Sequence, residues 1–189
     1  MKIGCVILAG GKSSRMGSDK ALLELNGEKF IVRLMEELRD FDEKLIARGE
    51  NQSVSNDDWL EIPDIYQERG PIGGLHSALR KCKSEALFCV TCDMPFFQKK
   101  LADQICAELD DTCDAVIVET EDGRKHPLCG IYRKTAVEVF EKQILSNNNR
   151  MMAALDQMRV KVICLDTGFF AHQLKNINTP EEFLESQNL

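Results

Sequence analysis

Short apolar runs rich in β-branched residues alternate with amphipathic stretches of helical period along almost the whole chain, and that alternation leaves few folds open. Ile3 to Leu8, Lys44 to Ala47, Leu60 to Ile62, Ala86 to Thr91, Ala115 to Val118 and Val160 to Leu165 read as strands. Phe30 to Asp40, Ile72 to Lys81, Leu101 to Leu109, Thr135 to Leu145 and Met151 to Met158 read as helices. A strand followed by a helix, repeated, builds a mostly parallel sheet, because parallel neighbours need a crossover and the crossover helices cover both faces. The expected class is α/β: a single-domain, Rossmann-like three-layer sandwich over residues 1–189, with no internal repeat and no linker-like stretch. A last helix is expected from Pro180, with Thr179 as N-cap and Glu181 and Glu182 in the positive first turn. Ligands of open α/β sheets bind beyond the carboxyl ends of the strands, so the residues after Leu8, Ile62 and Thr91 are where function is sought.

Charge narrows the partners. With 24 Lys+Arg against 31 Asp+Glu the formal charge is −7, which disfavours nucleic acid, since a duplex rewards a basic face. A polyanionic ligand then requires a local basic pocket. No apolar run approaches the roughly 18 residues of a membrane span, and Met1 to Ala9 is too short for a secretory signal. The eight cysteines lie mostly inside apolar stretches, as reduced cysteines of a cytoplasmic protein do. Cys89-Val90-Thr91-Cys92 is a lone CxxC on an expected strand, where residues three apart point to opposite faces, so core cysteines are favoured over a metal or redox site.

The first strand runs into Ala9-Gly10-Gly11-Lys12-Ser13-Ser14-Arg15-Met16-Gly17-Ser18-Asp19-Lys20. A Walker A loop ending in Gly11-Lys12-Ser13 would need Gly at position 6, which is Val6, and no Gly-x-Gly-x-x-Gly is present. The ingredients of a phosphate cradle are nonetheless here. Paired glycines let backbone N–H groups approach an anion, Ser13 and Ser14 offer hydroxyls, and Lys12, Arg15 and Lys20 outweigh Asp19. Arg15 suits bidentate phosphate contact and Lys20 a charge that develops during reaction. A solvated surface turn is the competing reading. Asp93 follows the most apolar strand; on the residues alone it is either a turn cap before Pro95 or a ligand for magnesium, which takes one or two carboxylates plus substrate phosphates.

The stretch Leu8-Ala9-Gly10-Gly11-Lys12-Ser13-Ser14-Arg15-Met16-Gly17-Ser18-Asp19-Lys20-Ala21-Leu22-Leu23 resembles the LAGGxSxRMGxDKxLL signature of the molybdenum cofactor guanylyltransferases, the MobA-like family of nucleotidyltransferases. The resemblance continues at Asp64, Gly70-Pro71-Ile72-Gly73-Gly74-Leu75, Cys92-Asp93-Met94-Pro95-Phe96, His126-Pro127 and Asn176-Ile177-Asn178-Thr179-Pro180-Glu181-Glu182. It implies a nucleotide-diphospho-sugar transferase-like fold and transfer of GMP from GTP to the molybdopterin-bound molybdenum cofactor, with release of pyrophosphate. It also implies Mg²⁺ as cofactor, held by Asp93. Nucleotide contacts fall on Leu8, Ala9, Gly10, Gly11, Lys20, Asp64 and Asp93, and the catalytic roles on Lys20, Asp93 and Arg15. Transient contacts with cofactor donor and acceptor proteins are implied, with no nucleic acid and no membrane. After the strand Lys44 to Ala47 the family usually places an Asn on the nucleotide; here Arg48 stands there and Asn51 lies three residues on. His126-Pro127, the Asn178 segment and Arg150 are candidates for the acceptor side. A CTP-using relative and a non-catalytic nucleotide binder are the alternatives.

Overall fold

The computed structural model describes residues 1–10, 23–25, 27–48, 58–165, 169–177 and 182–183. Its strands are β1 (Ile3–Leu8), β2 (Glu24–Leu25), β3 (Glu28–Lys29), β4 (Glu43–Arg48), β5 (Leu60–Pro63), β6 (Ala86–Thr91), β7 (Ala115–Thr120), β8 (Lys125–Arg133) and β9 (Val160–Leu165). The helices are α1 (Phe30–Glu37), α2 (Pro71–Lys81), α3 (Lys99–Ala107), α4 (Ala136–Leu145), α5 (Met151–Leu155) and α6 (Phe169–Gln173). A seven-stranded sheet in the order β5-β4-β1-β6-β8-β7-β9 carries the fold, with β2 and β3 forming a separate antiparallel hairpin. Within the sheet only β8 runs against the others. The mostly parallel α/β expectation therefore holds.

Alternation along the central strands sends side chains into two cores. Cys5, Ile7, Ile46, Phe88, Val90 and Val116 face α1 and α3, while Val6, Leu8, Leu45, Leu87, Cys89 and Ile117 face α2 and α4. The sandwich thus has three layers. Cys89 lies in one core and Cys92 in the other, so the CxxC spacing spans the sheet and does not converge on a shared ion.

Two departures from the sequence reading have physical causes. Helices α1, α3 and α5 end earlier than the apolar period suggests, while α2 and α4 end where it does: α1 stops at Glu37, although Leu38 is still fully buried. A residue can remain in the core after the backbone has left helical geometry. The larger departure is β8, a strand near the middle of the sheet that is absent from the strands read in the sequence, its apolar pattern interrupted by Pro127 and Gly130. Its pairing with β7 is broken by a shift, Ile117 facing Gly130 and Val118 facing His126, so Pro127 falls in a bulge where its missing N–H costs no ladder bond. The fully buried Tyr132 donates its hydroxyl to the Pro127 carbonyl and fixes that bulge.

Gly130 is required by close approach. A Cβ there would stand 2.6 Å from the Val116 carbonyl oxygen, a backbone atom that cannot swing aside. Gly130→Ala is expected to cost about 2–4 kcal/mol in urea denaturation, as overpacking against backbone does at its upper end. An unchanged midpoint would show that β7 and β8 separate without cost.

Candidate active site

Register builds the site. Leu8 pairs with Ala47 on one side and Thr91 on the other, and Ala47 pairs in turn with Ile62, so the carboxyl ends of four parallel strands share one rung: β1 and β6 finish on it and β4 and β5 one residue beyond it. The ladder runs one step further, with Ala9 N–H donating to Ala47 O at 2.9 Å and Cys92 N–H to Leu8 O at 3.1 Å. Immediately beyond lie Gly10, Arg48, Asp64 and Asp93. Leu8 and Ala9 are buried and Gly10 is exposed, so the chain leaves the sheet there. Gly11, Lys12, Ser13, Ser14, Arg15 and Lys20 lie outside the described residues, as do Asn51, Asn178, Thr179, Pro180 and Glu181.

Asp93 sits half-buried in the turn after β6. Thr91 Oγ1 donates to its Oδ1 at 2.6 Å, fixing the carboxylate's orientation, and Ile177 N–H donates to the Asp93 carbonyl at 2.8 Å. The second bond brings the Asn176–Ile177 segment to Asp93 from the far end of the chain. Further along the turn, Arg33 Nε donates to Pro95 O at 3.2 Å and Gln98 N–H donates to Gln173 Oε1 at 3.1 Å, so α1 and α6 hold it from two sides. An oriented carboxylate at the carboxyl end of a parallel strand fits a hard divalent cation that takes its other ligands from water and phosphate oxygens. Among the described residues no group of three His, Cys, Asp or Glu side chains could hold an ion unaided.

Asp64 lies over the first turn of α2. The positions where Gly73 and Gly74 would carry a Cβ are 3.8 and 3.5 Å from its two carboxylate oxygens. A Cβ on Gly74 would also meet Leu8 Cδ2 at 3.2 Å and Ala47 Cβ at 3.3 Å, so this glycine lets the helix lie against the β1 and β4 ends. Gly70 takes φ +67° to start the helix, a backbone state that side-chain-bearing residues avoid. Burial pushes the Asp64 carboxyl above its ordinary pKa.

The turn after Asp64 rests on a polar cluster between α2 and α4. Tyr66 donates its hydroxyl to Glu141 Oε1 at 3.2 Å, and Arg80 Nη2 donates to Glu141 Oε2 at 2.7 Å. The Tyr66 ring packs 5.2 Å from the fully buried His76, whose Nε2 stands 3.8 Å from Glu141 Oε1. Among the described residues neither His76 nitrogen has a hydrogen-bond partner, and burial holds the imidazole below its ordinary pKa despite the nearby Glu141 carboxylate, with Arg80 acting in the same direction as burial. This histidine stands inside an apolar helical stretch.

The remaining candidates divide. His126 is buried on β8 at the same sheet edge, opposite Val118, with Nε2 3.5 Å from Thr120 Oγ1; burial, aided by Arg124, lowers its pKa, with Asp122 opposing. Arg48 ends β4, buried and facing Pro63 across the ladder. Arg150 is exposed before α5; in the same loop Asn147 accepts a hydrogen bond from Arg69, which brings the loop beside the start of α2.

The histidines set a pH dependence. Because His76 and His126 have lowered pKa values when folded, the unfolded chain takes up protons first as pH falls through about 6.5, and stability declines from about pH 7.5 to 5.5. Urea denaturation across that window should show the decline, and His76→Leu should flatten it. A wild-type curve that is level or rises towards acid would contradict the assignment.

Residues 5–162 match the MobA-like NTP transferase domain. A probable molybdenum cofactor guanylyltransferase of Carboxydothermus hydrogenoformans is 34% identical over 185 residues, covering 94% of this chain and 91% of that protein. One from Clostridium perfringens strain 13 is 32% identical over 164 residues, covering 86% and 82%. The crystal structure of molybdopterin-guanine dinucleotide biosynthesis protein A from Archaeoglobus fulgidus superposes with a TM-score of 0.83 at 23% identity, covering 100% of this chain and 97% of that one, a likeness of fold.

Proposed function

The chain belongs to the MobA-like NTP transferase family, and from that premise we propose that it is one nucleotidyltransferase domain that transfers GMP from GTP to the molybdopterin-bound molybdenum cofactor. The observation that carries this reading is the common rung of Leu8, Ala47, Ile62 and Thr91, which brings Gly10, Asp64 and Asp93 to one edge. In the reaction an oxygen of the acceptor's terminal phosphate bonds to the α-phosphorus of GTP, and the bond from that phosphorus to pyrophosphate breaks. No covalent nucleophile on the protein is needed. Both substrates are anions, so the work is alignment and charge neutralisation.

Leu8, Ala9 and Gly10 frame the base and ribose through backbone groups, and Asp64 completes the nucleotide site. Arg15 and the backbone at Gly11 contact the triphosphate, and Lys20 neutralises charge that accumulates on the leaving pyrophosphate. Asp93, oriented by Thr91, holds a divalent cation, for which we propose Mg²⁺. When bound, that ion supplies charge neutralisation on the phosphates. The acceptor lies towards His126 and Asn176, on the far side of Asp93 from Asp64. The Asp93–Ile177 bond and the place of β8 next to β6 support that arrangement.

We place the enzyme in the cytoplasm, in transient contact with proteins that deliver the cofactor and receive the product, and without nucleic acid or membrane partners. Its net charge of −7 argues against nucleic-acid partners, and among the described residues no helix is long and apolar enough to cross a membrane. Lys20→Ala and Asp93→Ala should each reduce kcat/KM by about 100- to 1000-fold with the thermal melt preserved. Pyrophosphate release measured with each of the four nucleoside triphosphates, Mg²⁺ and the cofactor, followed by the mass of the product, tests the assignment. Product from CTP and none from GTP would replace it, and near-wild-type turnover by either variant would remove that residue from the mechanism.

A further inference from the structure

Ser77 lies in the second turn of α2 with its side chain in the interior, 2% exposed. Its Oγ donates to the Gly73 carbonyl at 2.8 Å, a bond that helical serines often make to the preceding turn. The same oxygen accepts the Ile65 N–H, also at 2.8 Å. That second bond crosses from the helix to the residue directly after Asp64.

The turn has few other supports at this point. Pro63 ends β5 and has no N–H to donate, and the Ile65 side chain is 58% exposed, so its packing does not anchor the backbone. Asp64 is therefore held between the last β4–β5 pair, Arg48 with Pro63, and the amide captured by Ser77. Tyr66 pins the chain two residues further on, through Glu141 and His76. Because Gly73 is both the carbonyl bonded by Ser77 and one of the two glycines beneath the Asp64 carboxylate, one hydroxyl joins the floor of the site to the residue above it.

We propose that Ser77 is a positioning residue of the nucleotide site, fixing Asp64 over the Gly73–Gly74 floor through the Ile65 amide. The inference rests on the reading that Asp64 belongs to the nucleotide site. Without the hydroxyl the Ile65 N–H loses its buried acceptor and the turn shifts to find water, moving Asp64 while Asp93, on the other side of β1, stays in place.

Steady-state kinetics with GTP and saturating cofactor test this in the wild type, Ser77→Ala, Ser77→Cys, Asp64→Asn and the double variant Asp64→Asn/Ser77→Ala. Ser77→Cys puts a somewhat larger thiol, a weaker acceptor, in place of the hydroxyl without opening a cavity, and it reports on the bond even where Ser77→Ala folds poorly. Each Ser77 variant should raise KM for GTP, by about tenfold for alanine, with kcat within about threefold. In the Asp64→Asn background the alanine change should add less than about twofold, the non-additivity of two residues acting as one. An unchanged KM in both Ser77 variants, or an equal rise with and without Asp64, would reduce Ser77 to helix packing. A wild-type KM in Asp64→Asn would instead remove Asp64 from the nucleotide site, and the role of Ser77 with it.

Discussion

The parallel pairing of β1 with β4 and β6 is the constraint on which the rest of the structure depends. It is a register of backbone hydrogen bonds at the middle of the sheet, buried on both faces, and it decides which residues of distant segments end at the same height. Slipping β6 by one residue would exchange its two core faces, sending Phe88 towards α2 and Cys89 towards α1. Both cores would fail together. The same packing that stabilises the sheet therefore holds Ala9, Asp64 and Asp93 within one rung of each other.

Helix α2 converts that edge into a site. Its glycines remove the atoms that would keep it away from Leu8 and Ala47, and Ser77 and the Glu141 cluster tie the preceding turn to its sides. On the opposite face, Arg33 and Gln173 hold the turn that carries Asp93. The two carboxylates are thus supported from opposite layers of the sandwich. A protein of net charge −7 that takes up a polyanion needs cations between the two, and holding one is the part proposed for Asp93, while burial makes the charged form of Asp64 less favourable than it is in water.

Much of this was legible in the chain. The cores of β1, β4 and β6 followed from apolar runs suited to a sheet buried on both sides, and the edge strand β9 from a short run rich in β-branched residues. The start of α2 was marked by Gly70-Pro71, and Asp64 and Asp93 by their places after strands. Strand β8 was not legible: Pro127 and Gly130 break the apolar pattern, and only the bulge and the close approach of Val116 explain why a proline and a glycine belong near the middle of a sheet. Ser77 passed as an ordinary helix residue, since nothing local distinguishes a serine bonded only within its helix from one that also captures an amide twelve positions away.

The amino-acid order by itself determined the class of fold, the family and the segments that supply chemistry, because hydrophobic period and turn chemistry are local properties. Only the tertiary structure decided that β8 runs antiparallel beside β6, that residue 177 closes on Asp93, and that Ser77 stands behind Asp64. Those choices rest on satisfying buried hydrogen-bond donors and acceptors across long sequence separations. Such satisfaction exists only once the chain has folded around them.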